Sequence, residues 1–164
     1  MGINAYKPHV LVLVEDNANR DIANGFLLDP NVKARNIQVL SSSGGWSKVR
    51  EDFLKTHVDG LRKYQNRYLV LLIDFDGKVT DRMAYFRQGI PDDVQDRVYL
   101  LGTRNEPEPL KKQYGDSLEN IGKALAAECF RDETKLWAHD LLAHNENERK
   151  RLNERVKSIL FSCA

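Results

Sequence analysis

The sequence lacks any apolar run of the roughly 20 residues that a membrane-spanning helix needs. Its first residues, MGINAYKP, contain no apolar core of a secretory signal. Cysteine is scarce as well, because the chain of 164 residues has only two, Cys129 and Cys163, which are far apart. This spacing argues against a disulfide framework and against a zinc site. These absences predict a cytoplasmic protein with reduced thiols.

The sequence has no strong excess of one charge. Its 25 Lys and Arg residues face 24 Asp and Glu residues, which gives a formal net charge of +1. Such a balance provides no overall attraction to nucleic acid or to membranes, although it is compatible with a local basic surface. A chain of 164 residues that is 41% hydrophobic is long enough to bury a core of its own. We therefore predict a single domain over residues 1–164.

Several motifs of familiar enzyme classes are missing. The sequence has no phosphate-binding loop of the GxxxxGK type, no glycine pattern for dinucleotides and no nucleophile elbow with a Ser-His-Asp set. Two of the four histidines, His139 and His144, are five residues apart and do not share a helical face well enough to form a metal-binding pair. Any chemistry must therefore come from other side chains.

One pattern that the sequence does contain is an apolar segment that runs directly into carboxylates. Residues 68–73, YLVLLI, are followed at once by Asp74 and Asp76. In open α/β sheets, ligands bind outside the carboxyl ends of such buried strands. Side chains two residues apart on an extended backbone point the same way, so both carboxylates can reach one hard cation such as Mg²⁺ or Mn²⁺. A solvated acidic turn is the alternative explanation for an isolated pair.

The same arrangement occurs earlier in the chain. Residues 9–14, HVLVLV, lead directly into Glu15 and Asp16. If the two strands are neighbours in a parallel sheet, Glu15, Asp74 and Asp76 meet at one edge. Carboxylates that crowd together require a cation or raised pKa values. The sequence therefore predicts a metal site at this edge.

Strand and helix patterns alternate as far as about residue 101. This order implies an α/β fold in which a four-stranded parallel sheet is connected by right-handed crossovers. We predict strands at residues 9–14, 37–40, 68–73 and 97–101, and helices at residues 17–28, 46–65 and 80–88.

The last part of the chain shows helical patterns only, so we predict an α/β core over residues 9–110 and a helical extension over residues 111–164. One helix follows the capping signal at residues 116–119 and ends near Phe130, a second runs from Asp132 through Leu142, and a third runs from Asn145 to Phe161. The third helix is amphipathic and basic. We interpret it as a helix that packs on the sheet rather than one that contacts nucleic acid.

The positions of the acidic residues resemble those of Toprim, the topoisomerase/primase fold family. That family has a four-stranded parallel core, a Glu after its first strand and an Asp-x-Asp after its third, and here these are Glu15, Asp74 and Asp76. The resemblance covers roughly residues 9–110. It implies a Rossmann-like three-layer fold in which the two aspartates hold Mg²⁺ and the glutamate acts as a general acid/base or as a further ligand. Asp16 departs from the pattern, because the family usually has Gly there.

The resemblance suggests further candidates around this edge. Gly44 and Gly45 are similar to the small-residue loop of small Toprim proteins and of nucleases of the bacterial overcoming-lysogenization-defect type, where a backbone or phosphate approaches closely. Toprim-like nucleases often carry another acid after the fourth strand, which makes Glu106, or Glu108, a candidate ligand for a second metal. Independently of the resemblance, the basic residues just past strand ends are candidate phosphate contacts, namely Lys78, Arg82, Arg104, Lys111 and Lys112.

The resemblance implies a Mg²⁺- or Mn²⁺-dependent protein that acts on phosphodiesters of DNA or RNA, most simply a nuclease. Two alternatives remain open at this point. The segment LVEDNANR resembles a response-regulator receiver, with Asp74 as phosphoacceptor and Thr103 as switch hydroxyl, although the 59 residues from Glu15 to Asp74 are many for that family. A Toprim fold that only binds, without catalysis, is compatible with the departure at Asp16.

Overall fold

Four apolar segments form one parallel sheet in this computed structural model, which describes residues 2–114 and 116–162. The strand order is β2-β1-β3-β4, so the first and third strands are neighbours. Helices cover the sheet on its two faces in a Rossmann-like α/β arrangement, which confirms the predicted fold class. The strands are β1 (His9–Val14), β2 (Ile37–Val39), β3 (Arg67–Asp74) and β4 (Val98–Thr103).

Seven α-helices connect and follow the strands in the described part of the chain. A π-helical turn at Phe53–His57 separates the second helix from the third, so the single helix predicted for residues 46–65 is interrupted. The helices are α1 (Asn17–Phe26), α2 (Trp46–Asp52), α3 (Val58–Lys63), α4 (Val79–Gly89), α5 (Glu108–Tyr114), α6 (Leu118–Arg131) and α7 (Glu146–Leu160).

The sheet is buried on both faces, which explains why its strands are apolar at consecutive positions. All six residues of β1 are buried. Val10 and Val12 face α1, α6 and α7, whereas Leu11 and Leu13 face the layer formed by α2, α3 and α4. The C-terminal helices α6 and α7 therefore belong to the same core as the strands. Among the described residues, no helix is both long enough and apolar enough to span a membrane.

The basic residues of α7 have partners within the protein. Arg151 contacts Glu148, Lys157 contacts Asp132, and Arg149 lies over the ring of Trp137 at 4.3 Å. The apolar side of the helix, with Val156 and Leu160, is buried in the core. The interpretation of α7 as a packing helix is therefore confirmed. Cys129 is a buried free thiol in α6, as predicted, whereas Cys163 lies outside the described residues.

The helix predicted from Asp132 through Leu142 is wrong. Asp132 has a φ of 57° and ends α6 in the left-handed conformation, and the residues after it form turns. Asp is favoured both before a helix and at a left-handed stop, so its identity alone did not distinguish the two cases. The turns are held by Glu128, whose buried carboxylate accepts the backbone N–H groups of Leu136 at 2.8 Å and Trp137 at 3.2 Å.

The first helix begins at Asn17, as predicted, and ends at Phe26, two residues before the predicted end. Asp16 caps it, because the Asp16 carboxylate accepts the backbone N–H of Asn19 at 2.9 Å. The loop after β4 contains a helix that the sequence pattern did not predict, α5, which begins at Glu108. Its proline, Pro109, is tolerated because the N–H groups of a first helical turn have no helical acceptor.

Glu128→Ala should destabilise the protein by about 3 kcal/mol, because it leaves two buried N–H groups without an acceptor. Urea unfolding measures this change. Glu154→Ala is the matched control on an exposed part of α7 and should change the free energy of unfolding by less than about 0.5 kcal/mol. Equal effects of the two substitutions would contradict a structural role for the Glu128 carboxylate.

Candidate active site at the carboxyl edge of the sheet

The strand order reverses direction between β1 and β3, since β2 lies outside β1 and β4 lies outside β3. In open α/β sheets, the crevice at such a reversal is where ligands bind. Glu15 follows β1 directly, and Asp74 is the last residue of β3. Both residues therefore lie at the position in the fold that favours a binding site.

The structure brings these two carboxylates together. The backbone N–H of Asp74 donates to Oε2 of Glu15 at 2.7 Å, and the backbone N–H of Asp76 donates to Oδ1 of Asp74 at 2.9 Å. The other carboxylate oxygens, Oε1 of Glu15 and Oδ2 of Asp74, have no hydrogen-bond partner among the described residues. Each side chain is thus oriented by one oxygen and keeps one oxygen for a ligand.

The electrostatics of the pair reflect burial and crowding. Burial raises the pKa of Glu15, and the charges of Asp16, Asp74 and Asp76 raise it further, while the hydrogen bond from the Asp74 backbone lowers it. Asp74, only 7% exposed, also has a raised pKa, first because of burial and then because of Asp76, Asp16 and Glu106. Such repulsion is typical of carboxylates that share a cation or a proton.

Asp76 has a different environment from Asp74. Its φ is +49°, a left-handed conformation that is uncommon for a residue other than glycine, and Gly77 follows with a φ of +73°. Its carboxylate is 52% exposed, and its Oδ2 accepts a hydrogen bond from Nη2 of Arg82 at 3.0 Å. The sequence predicts that Arg82 contacts phosphate, whereas in the structure Arg82 forms an ion pair with Asp76 of the Asp-x-Asp motif.

Gly44 and Gly45 hold the backbone of Glu15 through hydrogen bonds. Their backbone N–H groups donate to the carbonyl oxygen of Glu15 at 2.9 Å and 3.2 Å. Both glycines have positive φ values, 90° and 147°, which side chains disfavour. They therefore fix the backbone that carries Glu15. Asp16 is turned to the cap of α1, where it contacts Asn19.

The remaining candidates flank the motif at the protein surface. Lys78 and Arg104 both line an open cleft of about 570 Å³ beside Gly77, at the first turn of α4. The backbone N–H of Gly77 donates to the carbonyl oxygen of Arg104 at 2.7 Å, which joins the two loops. Glu106 is exposed and acts on Asp74 through its charge.

The donor chemistry of the site fits a hard divalent cation, because Glu15, Asp74 and Asp76 supply carboxylate oxygens beside one arginine. Among the described residues, however, no group of three or more His, Cys, Asp or Glu side chains is arranged to hold a metal ion. Of the three carboxylates, Asp76 alone forms a salt bridge within the described residues. Three carboxylates therefore lie at this edge, but with Asp76 paired to Arg82 they are not arranged as a metal site.

Neutralising Asp74 or Glu15 should stabilise the folded protein at neutral pH. A raised native pKa means that the native state binds more protons than the unfolded state, so stability falls as pH rises through that window. Asp74→Asn and Glu15→Gln keep the acceptor oxygen and remove the charge. We expect each to raise Tm at pH 7, with the gain disappearing below about pH 4, where the wild-type carboxyls are protonated in both states. A lower Tm at pH 7 would contradict the predicted repulsion.

Comparison of the chain with models of protein families, with curated protein sequences and with solved structures gave no significant match. The resemblance to Toprim therefore stays a prediction that depends on residue pattern and strand context.

Proposed function

We propose that this protein is a metal-dependent phosphodiesterase of the Toprim type, which cleaves DNA or RNA with Mg²⁺ or Mn²⁺. The observation that supports this most is the meeting of Glu15 and Asp74 at the reversal point of a parallel sheet, each with a free carboxylate oxygen and a raised pKa. Structural carboxylates more often pair with cations, which lower their pKa values.

Each residue has a distinct role in this proposal. Asp74 and Asp76 hold the cation, with Glu106 as a candidate further ligand, and the cation when bound supplies positive charge to the phosphodiester. Glu15 carries the proton, since its carboxylate contacts the Asp74 backbone at this edge and its pKa is raised by burial and by the neighbouring carboxylates. The Gly44–Gly45 turn keeps the Glu15 backbone in place and leaves room for the substrate backbone.

The nucleic acid is held by charge in this proposal. Lys78 and Arg104 lie along the cleft beside the Asp-x-Asp loop and form no salt bridge within the described residues. Their charges are therefore free to contact phosphates on either side of the scissile bond. The protein is neutral overall, so binding depends on this local surface. We also propose a cytoplasmic location.

Incubation of the wild-type protein with labelled single- and double-stranded DNA and RNA tests this function. We expect cleavage of at least one substrate with Mg²⁺ or Mn²⁺, and none with a chelator in excess. Nucleic-acid binding without cleavage under all metal conditions would favour the non-catalytic Toprim alternative. Absence of both would contradict the proposal.

The receiver alternative has one observation in its favour. Thr103 pairs in register with Asp74, and its buried hydroxyl has no hydrogen-bond partner among the described residues. The sheet has four strands in the described residues, however, whereas a receiver requires a fifth. Incubation with acetyl phosphate distinguishes the two functions. A receiver would transfer the phosphoryl group to Asp74 with release of acetate, and the resulting acyl phosphate would be cleaved by hydroxylamine and would still form in Asp76→Asn.

A further inference from the structure

Arg82 is a buried arginine on α4 that contacts both aspartates of the Asp-x-Asp motif. Its side chain is 9% exposed, and its Nη1 donates to the backbone carbonyl of Asp74 at 3.1 Å while Nη2 donates to Oδ2 of Asp76 at 3.0 Å. Its guanidinium carbon lies 3.9 Å from the ring centre of Trp46, a cation–π arrangement. The guanidinium group is thus held by the Asp74 carbonyl and the Trp46 ring, in addition to its contact with Asp76.

Backbone hydrogen bonds restrict the conformation of the loop that carries Asp76. The backbone N–H of Asp76 donates to the Asp74 carboxylate, and the backbone N–H of the next residue, Gly77, donates to the carbonyl oxygen of Arg104. The direction of the Asp76 carboxylate is therefore set by the ion pair with Arg82.

We propose that Arg82 is a positioning residue that competes with the divalent cation for Asp76. In the free protein the ion pair keeps Asp76 out of a three-carboxylate site, which agrees with the absence of such a group among the described residues. The full site forms when Asp76 exchanges Arg82 for the cation. This inference rests on the proposed function, since it requires that Asp74 and Asp76 bind metal.

Competition of this kind has a measurable consequence for affinity. When the binding-competent arrangement is only partly populated, the apparent affinity is reduced by that fraction. Breaking the pair also leaves a largely buried guanidinium without its anion, which is unfavourable. Weakening the Arg82–Asp76 pair should therefore strengthen metal binding, even in a variant that keeps the positive charge.

Titration of Mn²⁺ into protein without substrate, followed by electron paramagnetic resonance and calorimetry, tests the inference. Arg82→Lys keeps the charge but loses the planar group that contacts Asp74, Asp76 and Trp46 at once. Arg82→Met removes the charge as well. Lys48→Met is the matched control, because it removes an exposed cation on α2 that forms no salt bridge within the described residues.

We expect the dissociation constant for Mn²⁺ to fall about 10-fold in both Arg82 variants and much less in Lys48→Met. A constant in Arg82→Lys that equals the wild-type value would overturn the inference and leave the metal site intact. Weaker binding in Arg82→Lys would also overturn it, because Arg82 would then support the ligand. If neither the wild type nor any of the three variants binds Mn²⁺, the result would contradict the proposed function and therefore also this inference.

A measurement on the wild-type protein covers the case in which the variants fold poorly. Mg²⁺ is diamagnetic, so the guanidinium resonance of Arg82 can be followed by nuclear magnetic resonance during a titration. We expect this resonance to shift as the ion pair with Asp76 opens. Saturation with Mg²⁺ without any change at Arg82 would overturn the inference.

Discussion

Asp74→Asn is expected to abolish binding of Mg²⁺ and Mn²⁺ and to reduce phosphodiester cleavage at least about 100-fold. Loss of a residue that only orients a metal ligand already costs about 10- to 100-fold, and Asp74 is a proposed ligand itself. The substitution keeps the acceptor for the Asp76 N–H, so the loop should retain its shape. Calorimetry measures the binding, and initial rates on the preferred labelled substrate measure the cleavage.

Asp59→Asn is the matched control for this prediction, since Asp59 is an exposed aspartate on α3, away from the site. It should leave metal binding and cleavage unchanged. Asp74→Asn is also expected to raise Tm at pH 7, because it removes a repelled charge. Lost activity with increased stability is typical of a functional carboxylate. Full cleavage by Asp74→Asn would contradict the assignment of the catalytic edge.

Gly122→Ala should destabilise the protein by about 3 kcal/mol or more, because the added methyl group meets the backbone of a neighbouring helix. Helices α1 and α6 pack with their backbones in contact. A Cβ at Gly122 would lie 1.9 Å from the carbonyl oxygen of Ile22, and a Cβ at Gly25 would lie 1.9 Å from that of Glu119. A backbone oxygen cannot move aside as a flexible side chain can, so the helices must separate.

Urea unfolding measures the effect of Gly122→Ala through the midpoint at constant m. Gly60→Ala is the control, because its nearest neighbour is the end of the flexible Arg67 side chain and alanine is the better helix former. We expect Gly60→Ala to be neutral or slightly stabilising. Similar stabilities for the two variants would show that the α1–α6 contact tolerates separation.

The consecutive apolar residues of β1 and β3 determined by themselves that the sheet is parallel and covered on both faces. The acids directly after these strands determined that carboxylates lie at the carboxyl edge. Both inferences depend on local pattern, because a strand buried on two faces needs apolar side chains at every position. The amphipathic pattern of α7 likewise identified a helix that packs on the core.

Only the tertiary structure decided which of these carboxylates lie together and which cationic side chain pairs with them. The adjacency of β1 and β3 depends on the order of strands in the sheet, and it brings Glu15 to Asp74. The contact of Arg82 with Trp46 and Asp76 joins side chains from α2, the loop after β3 and α4. The end of α6 at Asp132 similarly depends on turns that the buried Glu128 stabilises. Sequence patterns report burial and periodicity, whereas these contacts arise from packing between segments that the local sequence does not specify.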